Sequence, residues 1–203
     1  IVSISKLTHE IVKEVAPNTP STYIPHAVNG DFFVPRDKSE VRKLALPEQD
    51  RDKFIVFWNN RNARRKQSGT LIYWWKDWLD KRDLHGKAQL IMHTEPKDPH
   101  GQDLEHIRCC SVQKLPPDQL SYFYNLADVT VNISDAEGFG LAPLESLSCG
   151  TPIIATMTGG LQEQVIGSGG MNGIGLYPTS QAIIGSQNVP YIYEDRISKK
   201  GQI

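Results

Sequence analysis

The chain has 203 residues, 39% hydrophobic and 22% charged, the make-up of a folded globular domain rather than a disordered segment. A net charge of -1 gives no electrostatic reason to bind nucleic acid or an anionic membrane surface. No apolar run approaches the roughly 20 residues that span a bilayer. No signal peptide opens the chain, and its three cysteines, two of them adjacent, make no disulfide framework, so a cytoplasmic protein is expected.

In chain order, Leu7, Ile11, Val12 and Val15 set a helical spacing over residues 3–15, which breaks at the turn-rich Ala16-Pro17-Asn18-Thr19-Pro20. Tyr23 to Val28 reads as extended, and residues 29–52 as a polar connection punctuated by Pro35 and Pro47. Phe54-Ile55-Val56-Phe57-Trp58 predicts a buried strand. Residues 68–82 predict a helix with Leu71, Ile72, Trp75, Trp78 and Leu79 on its core side, leaving Trp74 for a domain contact. Ala88–Met92 and Ile107–Val112 predict two more strands, and Pro116-Pro117-Asp118 opens a helix over 117–126. Strand 129–134, helix 141–149, strand 152–156, helix 160–166 and a strand near 174–177 follow. This alternation predicts an α/β fold, a Rossmann-like doubly wound parallel sheet, with its ligand outside the carboxyl ends of the strands. The chain starts inside a helical pattern and ends at Asp195–Ile203 with no closing amphipathic helix, so both ends are expected to be cuts through a longer protein.

Three loops at such carboxyl ends carry chemistry. In Ser134-Asp135-Ala136-Glu137-Gly138-Phe139-Gly140-Leu141-Ala142-Pro143-Leu144-Glu145, a glycine-bearing turn joins a β-branched run to a helix start. Amides around Gly138–Leu141 have no partner within the helix and can face a phosphate, helped by the helix dipole. Glu145, about one turn in, can reach a ribose diol, and Glu137 can face a sugar at the opposite end of the ligand. The ligand suited to this arrangement is a sugar nucleotide. The basic run Asn59-Asn60-Arg61-Asn62-Ala63-Arg64-Arg65-Lys66 can neutralise a diphosphate, and Thr158-Gly159-Gly160-Leu161-Gln162-Glu163 repeats the glycine-to-helix pattern. His93, His100, His106, Cys109 and Cys110 fit no zinc-finger spacing, so no metal is expected. Cys149 has no base near it in sequence and reads as a buried small residue.

These residues resemble the C-terminal domain of family 4 glycosyltransferases, the retaining nucleotide-sugar enzymes of the GT-B fold. The resemblance rests on E-x7-E at Glu137 and Glu145 around Gly138-Phe139-Gly140, on Ser148 through Ala155, on G-G-x-x-E at Gly159, Gly160 and Glu163, and on Arg61 with Lys66 five residues later. Ile24 through Phe33 resembles the hinge segment. The resemblance implies that Arg61 and Lys66 hold the donor diphosphate and stabilise the leaving nucleoside diphosphate. It implies further that Glu145 binds ribose and that Glu137, with the Phe139 and Gly140 amides, binds the transferred sugar. Leu141, Gly159, Gly160 and Glu163 would complete the donor site, and Gln113 and His93 stand near the base. It implies no cofactor and no metal. Residues 1–28 would be the end of a preceding domain and the hinge, and residues 29–203 the nucleotide-sugar-binding domain. The acceptor would be bound by a missing N-terminal GT-B domain, so the chain alone would bind donor without transferring. A non-catalytic sugar-nucleotide module is the alternative. A GT-B epimerase or phosphorylase is a weaker one, and an NAD dehydrogenase is disfavoured because no G-x-G-x-x-G follows the first long strand.

Overall fold

A computed structural model describes residues 1–94, 109–110, 114–184 and 192–196. Near the N-terminus, β1 (Val2–Ser3) and β2 (Thr22–Tyr23) pair in parallel across α1 (Lys6–Val15). Ser5 caps α1 by accepting from the Thr8 amide. The stretch read as a polar connection contains α2 (Lys38–Ala45), capped by Asp37, whose carboxylate accepts from the Glu40 amide at 3.0 Å. Periodicity is silent there because Val41 is the helix's single buried residue, although Asp37-x-x-Glu40 carries the capping-box spacing.

The central sheet follows from the alternation. In chain order the elements are β3 (Phe54–Asn59), α3 (Ser68–Arg82), β4 (Ala88–His93), β5 (Cys109–Cys110), α4 (Pro117–Leu126), β6 (Val129–Asn132), α5 (Leu141–Ser148), β7 (Ile153–Thr156) and α6 (Leu161–Val165). A small hairpin of β8 (Ile166–Gly167) and β9 (Gly170–Met171) precedes β10 (Gly173–Leu176). An antiparallel pair, β11 (Ser180–Ile184) and β12 (Ile192–Arg196), lies outside the sheet and has no counterpart in the sequence reading. Six strands pair in parallel in the order β10-β7-β6-β3-β4-β5. The order runs outward from β3 through β4 to β5, then returns to β3's other side with β6. That reversal between β3 and β6 opens a crevice at their carboxyl ends. Of the strand read over Ile107–Val112 only Cys109–Cys110 is described; Gln113, His100 and His106 lie outside the described residues.

Both faces of the sheet are covered, as a parallel sheet requires. On one face Ile55 and Phe57 pack with Val41, Ile91, Tyr124 and Leu126. On the other, Val56 and Trp58 pack with Leu71, Leu90, Met92 and Val131. Burying each such large side chain contributes roughly 1.5–3 kcal/mol. The α3 face differs from the reading in one respect: Trp74 and Trp75 pack against this core while Trp78 is 37% exposed, tilted against the Trp75 ring at 5.1 Å. At about 100° per residue Trp78 falls between Trp74 and Leu71 on the helix face, so its exposure reflects its place nearer the C-terminus of α3, past the cluster that Leu71, Ile72, Trp74 and Trp75 join, and not a turned stripe. Asp128, just before β6, ties α2 to the sheet: it accepts from the Ile55 amide at 2.7 Å, from Arg42 at 2.7 Å and from Lys38 at 3.1 Å. Among the described residues no helix is long and apolar enough to cross a membrane.

Candidate functional site

A cavity of about 740 Å³ opens at the carboxyl ends of β3, β4 and β6. Arg61, Arg65 and Lys66 from the loop after β3 line it. So do Glu137, Phe139, Gly140, Leu141 and Glu145, from the loop after β6 and the start of α5. The two acids and the cations singled out in the sequence therefore share one space.

Local backbone geometry explains how each group is presented. After β3 the chain makes a short 3-10 turn, Arg64–Lys66, ended by Gln67 in the left-handed region at φ 58°. Gln67 donates to Asp135 at 2.6 Å, and the Asp135 amide donates to the Arg65 carbonyl at 2.8 Å, so the basic loop is laced to the loop after β6. Lys66, 9% exposed, is thereby turned inward, and its ammonium meets Glu137 Oε1. Arg65 donates to the Ala136 carbonyl at 2.6 Å and lies 3.3 Å from Glu137 Oε2. The resemblance singles out Arg61 and Lys66 from this run; Arg65 joins them at the cavity, which no loop periodicity marks in the sequence. Burial pushes the Glu137 carboxyl up, but Lys66, the Ser134 hydroxyl and Arg65 outweigh it, so Glu137 is held below the usual glutamate range and stays ionised.

Gly140 starts α5 at φ 91°, no side chain caps the helix, and Pro143 sits in its first turn. The helix N-terminus thus faces the cavity through Gly140, Leu141 and Ala142. Gln164 braces the loop from below, donating to the Phe139 carbonyl at 2.6 Å and within 2.9 Å of that of Gly140.

Glu145 sits in a different environment. Its Oε2 accepts from the fully buried Tyr124 hydroxyl at 2.5 Å. The same hydroxyl accepts from Asn59 at 2.7 Å, and Asn59 Oδ1 lies 2.8 Å from His93 Nδ1. Burial raises the Glu145 carboxyl above its ordinary value, with the Tyr124 bond opposing. Two carboxylates of the same kind are therefore pushed in opposite directions by their surroundings.

Four residues expected to bind ligand, Gly138, Gly159, Gly160 and Glu163, lie outside this lining. Glu163 does not line the cavity: its carboxylate accepts from the Lys6 amide at 3.1 Å and from the Tyr23 hydroxyl at 2.7 Å, fastening α1 and β2 to α6. Burial, the Glu163 hydrogen bond and its charge push the Tyr23 phenol up to about 12. Gly159 and Gly160 also lie outside the lining, where they let the turn before α6 pass under the loop after β6. A Cβ on Gly159 would fall 1.8 Å from the Glu137 carbonyl, and one on Gly160 2.6 Å from Phe139 Cα. Gly138 is likewise outside the lining, against Ile4. The N-terminal segment nevertheless reaches the site, since Ile4 and His26 line the cavity and the His26 ring meets Phe139 edge-on at 5.3 Å. Burial pushes the Cys149 thiol up to about 11, which suits packing and not nucleophilic attack. Among the described residues no group of three or more His, Cys, Asp or Glu is arranged to hold a metal ion.

Residues 105–193 match the family described as glycosyl transferases group 1. The chain is 51% identical over 155 residues to a D-inositol 3-phosphate glycosyltransferase of Acidothermus cellulolyticus, an alignment covering 70% of this chain and 34% of the relative. It thus spans about a third of that curated relative's length. A sucrose-phosphate synthase from Thermosynechococcus elongatus superposes with a TM-score of 0.68 at 26% identity, covering 88% of this chain and 45% of that one. Anabaena HepE in complex with UDP superposes at 0.66 and 17% identity, covering 88% and 50%, a likeness of fold.

Proposed function

The chain is a C-terminal domain of the GT-B glycosyltransferase kind, and on that footing we propose that it binds the nucleoside diphosphate sugar donor of a retaining transferase. The observation that carries this reading is the shared cavity: Arg61, Arg65, Lys66 and Lys114, a helix N-terminus and two acids, Glu137 and Glu145, line one space. Arg61, Arg65 and Lys66 suit a pyrophosphate, each charge-assisted hydrogen bond contributing roughly 1.5–3 kcal/mol. They would also stabilise the charge that grows on the leaving diphosphate, so the reading needs no metal ion. Glu137 would take the transferred sugar and Glu145 the ribose hydroxyls. The acceptor side would come from a preceding domain of which residues 1–28 are the end, and the chain by itself would bind without transferring. The relatives' name makes D-inositol 3-phosphate the first acceptor to assay with a complete protein.

Calorimetry with UDP, GDP and ADP tests the reading. Binding of at least one is expected, weakened by Arg61→Ala, and Glu145→Ala should cost more affinity for that nucleotide than for inorganic pyrophosphate. A folded sample that binds none of the three refutes the donor site.

A further inference from the structure

Tyr124 is fully buried, does not line the cavity, and belongs to none of the motifs that drew attention to the site. Its hydroxyl nevertheless joins two cavity-lining residues from different elements, Glu145 on α5 and Asn59 on β3. The Tyr124 hydroxyl donates to Glu145 Oε2, so its proton points there. The phenol oxygen must then accept, which turns the Asn59 amide nitrogen towards it and the Asn59 carbonyl towards His93. His93 Nδ1 therefore carries the proton, and the string runs His93, Asn59, Tyr124, Glu145, each donating to the next.

We propose that Tyr124 is a positioning residue that sets the site's preference for a ribose diol, by pinning one oxygen of Glu145 so that the other is presented to the sugar hydroxyls. A glutamate has three torsions, and an unpinned carboxylate at a cavity wall loses its aim. With Oε2 committed inside, Oε1 is the oxygen left to receive a hydroxyl. A site built to bond hydroxyls discriminates strongly against an analogue lacking them only when its polar group is held in place. The ring of Tyr124 is itself wedged, edge-on to Phe57 at 5.1 Å and to Phe33 at 6.1 Å, so the phenol cannot follow a drifting carboxylate. The inference rests on the reading of Glu145 as the ribose-binding acid.

The test compares UDP, GDP and ADP with their 2′,3′-dideoxy counterparts by calorimetry on the wild-type chain, Tyr124→Phe and Glu145→Ala. Wild type is expected to prefer the ribo form of whichever nucleotide binds by roughly tenfold or more, the worth of a hydrogen bond to a charged group. Glu145→Ala should bring that ratio close to one. Tyr124→Phe should lower the ratio at least threefold while leaving dideoxy and pyrophosphate affinities within about twofold. A merely structural loss would weaken all ligands together and leave the ratio alone. Should Tyr124→Phe not fold, Asn59→Ala keeps the phenol, removes the amide that orients it, and is expected to lower the same ratio. If Glu145→Ala leaves the ratio unchanged, the ribose role of Glu145 falls. If Glu145→Ala abolishes it and Tyr124→Phe (or, failing that, Asn59→Ala) does not lower it, Glu145 stands and the positioning role of Tyr124 is overturned.

Discussion

Glu137→Ala and Lys66→Ala should act oppositely on anion binding although they break the same ion pair. The side chains of Glu137 and Lys66 are only 7% and 11% exposed, so the pair is largely shielded from solvent, whereas Arg65 at 44% adds little to it. Removing one partner of a fully buried pair costs about 3–5 kcal/mol because the other charge is stranded. Here the stranded Lys66 borders an open cavity whose water can hydrate it, so we expect about 2–3 kcal/mol for Glu137→Ala, or a fall in Tm of about 4–12 °C for a chain of this size. Lys66→Ala should cost less, about 1–2 kcal/mol, since Ser134 at 2.9 Å and Arg65 at 3.3 Å still serve the carboxylate. Against inorganic pyrophosphate the order reverses. Lys66→Ala loses a charge-assisted bond and should weaken binding by about 10- to 100-fold. Glu137→Ala removes a competing anion from the same cation and should leave affinity unchanged or raise it by several-fold. Thermal denaturation and calorimetry measure the two quantities separately. Equal weakening of pyrophosphate by both variants would refute the account, because it would mean that the cations need Glu137 for their placement and are not held in competition by it.

Asp128 gives a pH prediction. Burial raises its carboxyl, but the Ile55 amide, Arg42 and Lys38 outweigh burial and set it below the ordinary aspartate value. A carboxyl lower in the folded than the unfolded state stabilises above the unfolded pKa, about 3.9, and that stabilisation is lost as pH falls through the folded value. Asp128→Asn is therefore expected to lower stability at pH 7 by about 1–3 kcal/mol and to flatten the acid limb below about pH 4; an unchanged acid limb in pH-dependent urea unfolding contradicts the assignment. Gly159→Ala should displace the loop after β6, since its Cβ would lie 1.8 Å from the Glu137 carbonyl on a backbone at φ 49°. Loss of both Tm and nucleotide affinity is expected, and a variant with wild-type affinity would show that the turn before α6 does not shape the site.

Much of this protein was readable without coordinates because its decisive patterns are short-range. A run such as Phe54–Trp58 must be buried on both faces, Pro116-Pro117-Asp118 must open a helix, and Gly138-Phe139-Gly140 between a strand and a helix must present amides; each follows from neighbours a few positions apart. Alternation of those elements then places every loop of interest at one edge of the sheet. What folding alone decided concerns groups distant in sequence. Glu163 and Lys6 are bonded across 157 positions, and Tyr124 meets Asn59 across 65. Nothing local tells a glutamate after two glycines whether it will face a ligand or fasten a helix, nor which cation of Arg61-Asn62-Ala63-Arg64-Arg65-Lys66 turns inward. Local sequence sets the conformation of each segment, but a side chain's partner is whatever the packed neighbour happens to offer, and that is settled only when the sheet, its helices and its loops have closed around one cavity.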